Sequence, residues 1–474
     1  LLVRELRNQY KDISLSEKQE QNLQSLLNDN AFTICTAHQP NIFTGPLYFI
    51  YKILHAIRLS NHLNDHIADS KFVPVYYMGS EDADLDELGH INLNGEKLEW
   101  QTKQTGAVGR MKVDKQLIQL VERIAGQLEV SAHGKELVGL FRAAYKEGEL
   151  IQEATLKLVH ELFKEYGLLV LIPDNAELKR EFIPVVKREL IEQFSHSIVA
   201  KTSAALSENY KVQASGRAIN LFYLTETKRE RIEKQGQRFM IEGLGLSWTE
   251  KEMMDEVDNH PERFSANVIL RGAFQESVLP NIVFIGGGGE IAYWLELKDV
   301  FNACHIPYPI LVVRNSFLLI TAEQRRSANK LGFNVVDFFQ TAEKLIQRLV
   351  TRDSQLQLTL AEEKKQLKAF YEHLKETTNK IDSTLSQHTQ ALYSKALEKI
   401  EALEKKMLRA EKRKFEAQQR QIEKLKHQLF PNNSLQERQE NFSGFYATHG
   451  KELLTRLYEE SLSLEQEFVI VELQ

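Results

Sequence analysis

Cysteine is nearly absent from this 474-residue chain, and the two present, Cys35 and Cys304, form neither a zinc spacing nor a disulfide framework. They fit a reducing cytoplasm. No apolar run nears the roughly 20 residues that a membrane span needs, and no secretory leader is visible. Neither charge dominates: 60 Lys and Arg against 66 Asp and Glu leave a net charge of −6, which removes the case for nucleic-acid binding by the whole molecule. Glycine is missing from Asn334 to Ser443, and proline occurs there only at Pro431, so little interrupts long helices in that stretch. The chain opens on Leu1 rather than Met, so a trimmed N-terminus is expected. At 54.7 kDa and 42% hydrophobic residues, it is long enough to bury a substantial core.

Apolar runs and turn residues alternate along the first two thirds. Residues 1–30 read as polar helix. Phe32–Thr36 is the first expected strand, and Leu47 to about Leu63 the first long helix, with Leu47, Ile50, Tyr51, Leu54, Ile57 and Leu63 at helical spacing. Phe72–Met78 is a second strand. Short β pieces are expected over 88–113, and helices over 114–165. Gly167–Pro173 is continuously apolar, the pattern of a strand buried on both faces. A helix over 176–208 and short strands at Ala218–Leu224 and Arg238–Glu242 follow. Val283–Ile285 leads into Gly286–Gly289 and a helix running on through Trp294 and Val300, and Tyr308–Val313 is a further strand. Repeated strand–turn–helix units predict an α/β protein with an open, mostly parallel sheet.

Beyond Asp337 the pattern changes. Leu356, Leu360, Leu367, Phe370, Leu374 and Ile381, then Ile400, Leu403, Met407 and Ala410, keep an approximate 3–4 rhythm. This is an antiparallel pair of long helices or a coiled coil that dimerises, and a hairpin folded onto its own core has the same signature. Residues 395–426 carry eleven Lys or Arg against six Glu, a solvated face or a lure for phosphate.

In an open parallel sheet, ligands lie beyond the carboxyl ends of the strands, and four polar clusters fall there. In the turn from His38 to Pro46, Thr44 is a plausible N-cap with Gly45 and Pro46 in the first helical turn. A helix start attracts anions, so the turn suits phosphate or carboxylate, although a ligand-free turn looks the same. Glu81, Asp82, Asp84, Asp86 and Glu87 form either a seat for an ammonium or Mg²⁺, or an N-cap and solvated helix start. Gly286, Gly287, Gly288 and Gly289 match neither a Walker A sequence nor a GxGxxG fingerprint, and read as a loop that lets a ligand approach backbone, or as a packing turn that needs positive φ. Arg314 reads as an anion clamp, or as a salt-bridge partner of the acidic cluster. Cys35, close to His38, reads as a buried small hydrophobe rather than a nucleophile.

The segments Thr36-Ala37-His38-Gln39-Pro40-Asn41-Ile42-Phe43-Thr44-Gly45-Pro46-Leu47-Tyr48, Ser80-Glu81-Asp82-Ala83-Asp84, Asn220-Leu221-Phe222-Tyr223, Leu279-Pro280-Asn281, Gly286-Gly287-Gly288-Gly289-Glu290-Ile291-Ala292-Tyr293-Trp294 and Arg314-Asn315-Ser316 together resemble the BshC family of bacillithiol synthesis. Members more often carry Gly-Gln-Gln where this chain has Ala37-His38-Gln39, so Gln39 matches the pattern better than His38. The resemblance implies a Rossmann-like core with two connecting insertions and a C-terminal coiled coil that dimerises. The corresponding layout is core at 1–95, 166–208 and 276–336, insertions at 96–165 and 209–275, a coiled-coil arm at 337–430 and a helical return at 431–474.

It also implies the last step of bacillithiol synthesis, joining L-cysteine through an amide bond to glucosaminyl-malate in the cytoplasm. ATP or ADP, with Mg²⁺, would activate the carboxyl as an adenylate or acyl phosphate, although no Lys-Met-Ser-Lys-Ser-like loop is present. On that reading Gln39, Asp82, Asp84 and Arg314 are the catalytic residues. His38, Asn41, Thr44, Gly45 and Gly286–Gly289 hold the cofactor, and Glu81, Glu290, Asn315 and Ser316 hold substrate. The rival readings are a nucleotidyltransferase-like enzyme for another carboxylate and amine, and a coiled-coil scaffold that only binds a ligand.

Overall fold

The computed structural model describes residues 1–354 and 358–473. Five strands form one parallel sheet: β1 (Ala31–His38), β2 (Lys71–Met78), β3 (Leu169–Leu171), β4 (Asn281–Gly286) and β5 (Ile310–Val313). Their order is β5-β4-β1-β2-β3. This is the Rossmann order: the chain builds outward on one side of β1, then crosses to build on the other, leaving a crevice at the carboxyl ends of β1 and β4. β1, β2 and β3 are buried almost throughout, which explains their unbroken apolar and aromatic runs. Helix α1 (Tyr48–His66) packs on the sheet through Ala56 and Leu59, which meet Ile34, Phe72, Val283, Ile285 and Val312 in one core cluster.

Two expectations need correction here. The helix over 176–208 is three helices, Ala176–Arg180, Ile183–Glu192 and Phe194–Ser207. Pro184 opens the second, and Gln193 at φ 52° closes it in the left-handed region. The helix after the glycines is likewise divided, into α3 (Gly288–Glu296) and Lys298–Cys304. The second insertion is two small antiparallel sheets and ends in α2 (Val268–Val278), which returns the chain to the core.

The chain divides into two compact units, Leu1–Leu318 with Gln436–Val471, and Leu319–Leu435 with the last few residues. The second unit carries a hairpin of α4 (Ala361–Ile381) and α5 (Leu385–Lys412). Lys364 bonds Glu404, the Tyr371 and Tyr393 rings meet, and Thr378 meets Thr389, so the helices run antiparallel. The seam on α4 is therefore Lys364, Leu367, Tyr371, Leu374 and Thr378. Phe370 and Ile381, expected in it, are 58% and 77% exposed, and Leu403 on α5 is 50% exposed. Leu356 lies outside the described residues. Among the described residues, no helix is long and apolar enough to cross a membrane.

Candidate active site

A cavity of about 690 Å³ lies in the first unit at the carboxyl ends of the strands, within the range usual for small-molecule sites. β1 supplies His38, and the residue after it Gln39; the turn after β2 supplies Glu81 and Asp82. The start of α3 supplies Gly287, Gly288, Gly289 and Glu290, and the end of β5 supplies Arg314. The four sequence clusters thus meet in one hollow. The facing wall comes from the second insertion and α2, with Arg217, Arg229 and Arg271, and Arg438 reaches in from the C-terminal return.

Direct bonds tie these loops together. Gln39 Nε2 donates to Asp82 Oδ2 at 3.2 Å, linking the ends of β1 and β2. Lys52, 1% exposed on α1, donates to the carbonyl of Ala37 and pairs with Glu290 Oε2 at 2.6 Å. It pins the end of β1 to the start of α3, at the switch point of the sheet. Burial lowers the Lys52 ammonium below its ordinary range, with Glu290 acting in the opposite direction. Glu290 also accepts from the Gly287 N–H at 2.8 Å.

The cavity holds charge of both signs. Arg314 is engaged: Glu437 accepts from its Nη2 at 2.7 Å, and the Tyr48 ring lies 5.1 Å from its guanidinium. Among the described residues, Arg217, Arg229, Arg271 and Arg438 have no carboxylate partner. Arg271 bonds the Tyr293 hydroxyl, and Arg229 stacks on Phe222 at 4.0 Å. On the acidic side, burial first and then Asp82, Asp84 and Glu290 push the Glu87 carboxyl upward. His38 is held well below its usual range by burial and by Lys52, Arg314 and Arg271, so it is neutral, and its buried Nε2 has no partner among the described residues. Burial raises the Cys35 thiol, which makes it inert.

Several predicted site residues lie elsewhere. Thr44 does not cap α1: Phe43, Thr44 and Gly45 all take positive φ, at 51°, 70° and 62°, in an extra turn before the helix. The Asn441 side chain fills that turn by donating to the carbonyls of Phe43 and Gly45, and the Leu47 N–H donates to the Glu440 carbonyl at 2.8 Å. The α1 start is thereby occupied by protein, and Asn41, Thr44 and Gly45 do not line the cavity. Asp84 caps the short helix Leu85–Leu88 by accepting from the Glu87 N–H at 3.1 Å. Glu81 does line the cavity, but it pairs with Lys179 and accepts from Ser265 Oγ at 2.8 Å, so its ammonium is the chain's own.

Asn315 bonds His55 and the Leu462 carbonyl, and Ser316 bonds Arg314 and Glu437; neither reaches the cavity. The glycines serve different ends. A Cβ on Gly286 would come within 2.8 Å of the Phe284 ring, whereas one on Gly288 or Gly289 would meet nothing within 4 Å. None of the four has positive φ.

Lys52 and Arg271 escaped sequence reasoning because each sits inside an apolar helix, where a cation reads as an isolated exception. A charged residue on a buried helical face was the available signal. For nucleotide phosphates, the unpaired arginines and the open start of α3 form a fitting donor set. Among the described residues, no cluster of three His, Cys, Asp or Glu has a metal-holding arrangement.

Residues 1–315 match the family described as "Bacillithiol biosynthesis BshC, N-terminal Rossmann-like domain", and residues 317–473 match "Bacillithiol biosynthesis BshC, C-terminal coiled-coil domain". The chain is 40% identical over 470 residues to a Flavobacterium johnsoniae protein named "Putative cysteine ligase BshC", covering 99% of this chain and 88% of that one. A Christiangramia forsetii protein of the same name is 37% identical over 475 residues, with 99% and 88% covered. The chain belongs to the BshC family of bacillithiol biosynthesis and is an enzyme of the ligase class.

Proposed function

We propose that this cavity joins the carboxyl of L-cysteine to the amine of glucosaminyl-malate, the last step of bacillithiol synthesis. The observation that carries the reading is a hollow lined both by arginines that have no carboxylate partner among the described residues and by the carboxylates of Asp82 and Glu87. A guanidinium with no carboxylate at ion-pair distance leaves its donors available to an anion of the ligand. A malyl group offers two carboxylates, and the amino sugar offers an ammonium. Asp82, oriented by Gln39, receives the amine. Glu87, with its raised carboxyl, takes the proton that must leave before nitrogen can attack.

Arg271 receives a malyl carboxylate, and charge growing on the reacting carboxyl faces the start of α3. ATP or ADP fits with its phosphates against Arg217, Arg229 and the open Gly288–Gly289 backbone, and when bound supplies the leaving group that amide formation in water requires. Magnesium would arrive with those phosphates rather than on a prepared protein site. A reducing cytoplasm suits a thiol product and the two free cysteines. The helical hairpin is proposed to pair with a second copy, since Phe370 and Leu403 remain uncovered.

The test is to incubate the protein with L-cysteine, glucosaminyl-malate, Mg²⁺ and ATP or ADP, and to detect the condensed thiol by mass. The expected product has the combined mass of the two substrates less one water. Its absence with both nucleotides would overturn the reading.

A further inference from the structure

We infer that the C-terminal return is a working wall of the site: Arg438 contacts a ligand oxyanion, and Glu437 is the positioning residue that holds Arg314 beside it. The inference rests on the cavity being the ligand site. Glu437 comes from far along the chain, yet it is 1% exposed, and its Oε1 accepts from Arg314 Nη2 at 2.7 Å and from Ser316 Oγ at 3.3 Å. Its Oε2 accepts from the Phe317 N–H at 3.3 Å. The backbone on the other side of Arg438 is tied down as well. The Gln439 carbonyl accepts from Asn92 Nδ2 at 3.1 Å, and the Asn441 N–H donates to the Asn92 carbonyl at 2.9 Å. Between these anchors Arg438 faces the cavity.

The adjacent carboxylate is committed to Arg314, so it does not neutralise Arg438. A carboxylate or a phosphate supplies the counter-charge, and both bind a guanidinium through the same two-pronged contact. Arg314, fixed by Glu437 and seated against the Tyr48 ring, presents a second cation in a single orientation.

Calorimetric titration of L-malate, and separately of ADP, into the full-length chain tests this. Arg438→Ala should weaken one of the two ligands by about tenfold or more with unchanged thermal unfolding, and Arg438→Lys should recover part of the loss. Loss for malate alone assigns the substrate carboxylate, and loss for ADP alone assigns the nucleotide. Glu437→Gln should weaken the same ligand, while Glu437→Asp, which keeps the charge, should restore most of the affinity although both are less stable. Arg456→Ala, in the same return but outside the cavity lining and paired with Glu460, should bind like the parent. Parental affinity of Arg438→Ala for both ligands would overturn the inference alone. Failure of the unaltered protein to bind either would overturn the cavity reading with it.

Discussion

Asp82 and Asp84 stand two residues apart and serve different ends. Asp82 lines the cavity and takes a hydrogen bond from Gln39, whereas Asp84 caps a four-residue helix. Asp82→Asn should lower product formation by about 100-fold without altering circular dichroism. Asp84→Asn should leave turnover nearly intact, because asparagine caps a helix as well as aspartate does. Equal losses in the two variants would contradict the assignment. The sequence was legible in where it put Gln39, Asp82 and Gly288, all of which line the cavity. It misled at Thr44, where composition matched an N-cap but three successive positive φ angles and a distant asparagine, Asn441, decided otherwise. Backbone handedness at non-glycine residues leaves no mark on composition, and neither does a partner hundreds of residues away.

Among the elements, the start of α3 separates stability from function. Gly288 has open space where a Cβ would sit, so Gly288→Ala should raise unfolding stability by up to ~1 kcal/mol. It should also weaken ligand binding, by placing a methyl group where the ligand meets backbone. Unchanged affinity in calorimetry would show that the glycine serves packing alone. Glu276 on α2 makes a pH prediction. Burial lifts its carboxyl to about 8, against an ordinary value of 4.5, with Gln275 and Asn281 donating to it.

Because the folded value is the higher one, native protein binds the proton more tightly. That contribution is complete below pH 4.5 and fades as pH rises through 8, at about 1.4 kcal/mol per pH unit between the two values. Glu276→Gln should therefore gain melting temperature over the parent progressively from pH 5 to 8. Parallel pH curves would refute it. Helix and strand identities were legible from periodicity, since buried parallel strands and amphipathic helices announce themselves differently. The break at Pro184 is legible in the sequence, whereas the left-handed Gln193 is not.

At the scale of the whole molecule, strand–turn–helix repetition predicted a parallel sheet, but the order β5-β4-β1-β2-β3 had to be seen. Strand order depends on which side of β1 each crossover lands, and no local pattern encodes that. The hairpin register was also hidden, because Phe370 and Leu403 satisfy a 3–4 rhythm while pointing away from the partner helix. The pairing proposed for the hairpin predicts that the parent scatters light as two copies and Leu403→Glu as one, with the hairpin's helicity kept; equal masses for the two proteins would contradict that pairing.

One cavity should receive both charges of one substrate, and paired calorimetric titrations check this. L-Malate should lose affinity in Arg271→Met but not in Asp82→Asn, whereas glucosaminyl-malate should lose affinity in both. Equal binding of the two ligands to the parent and to both variants would contradict the account.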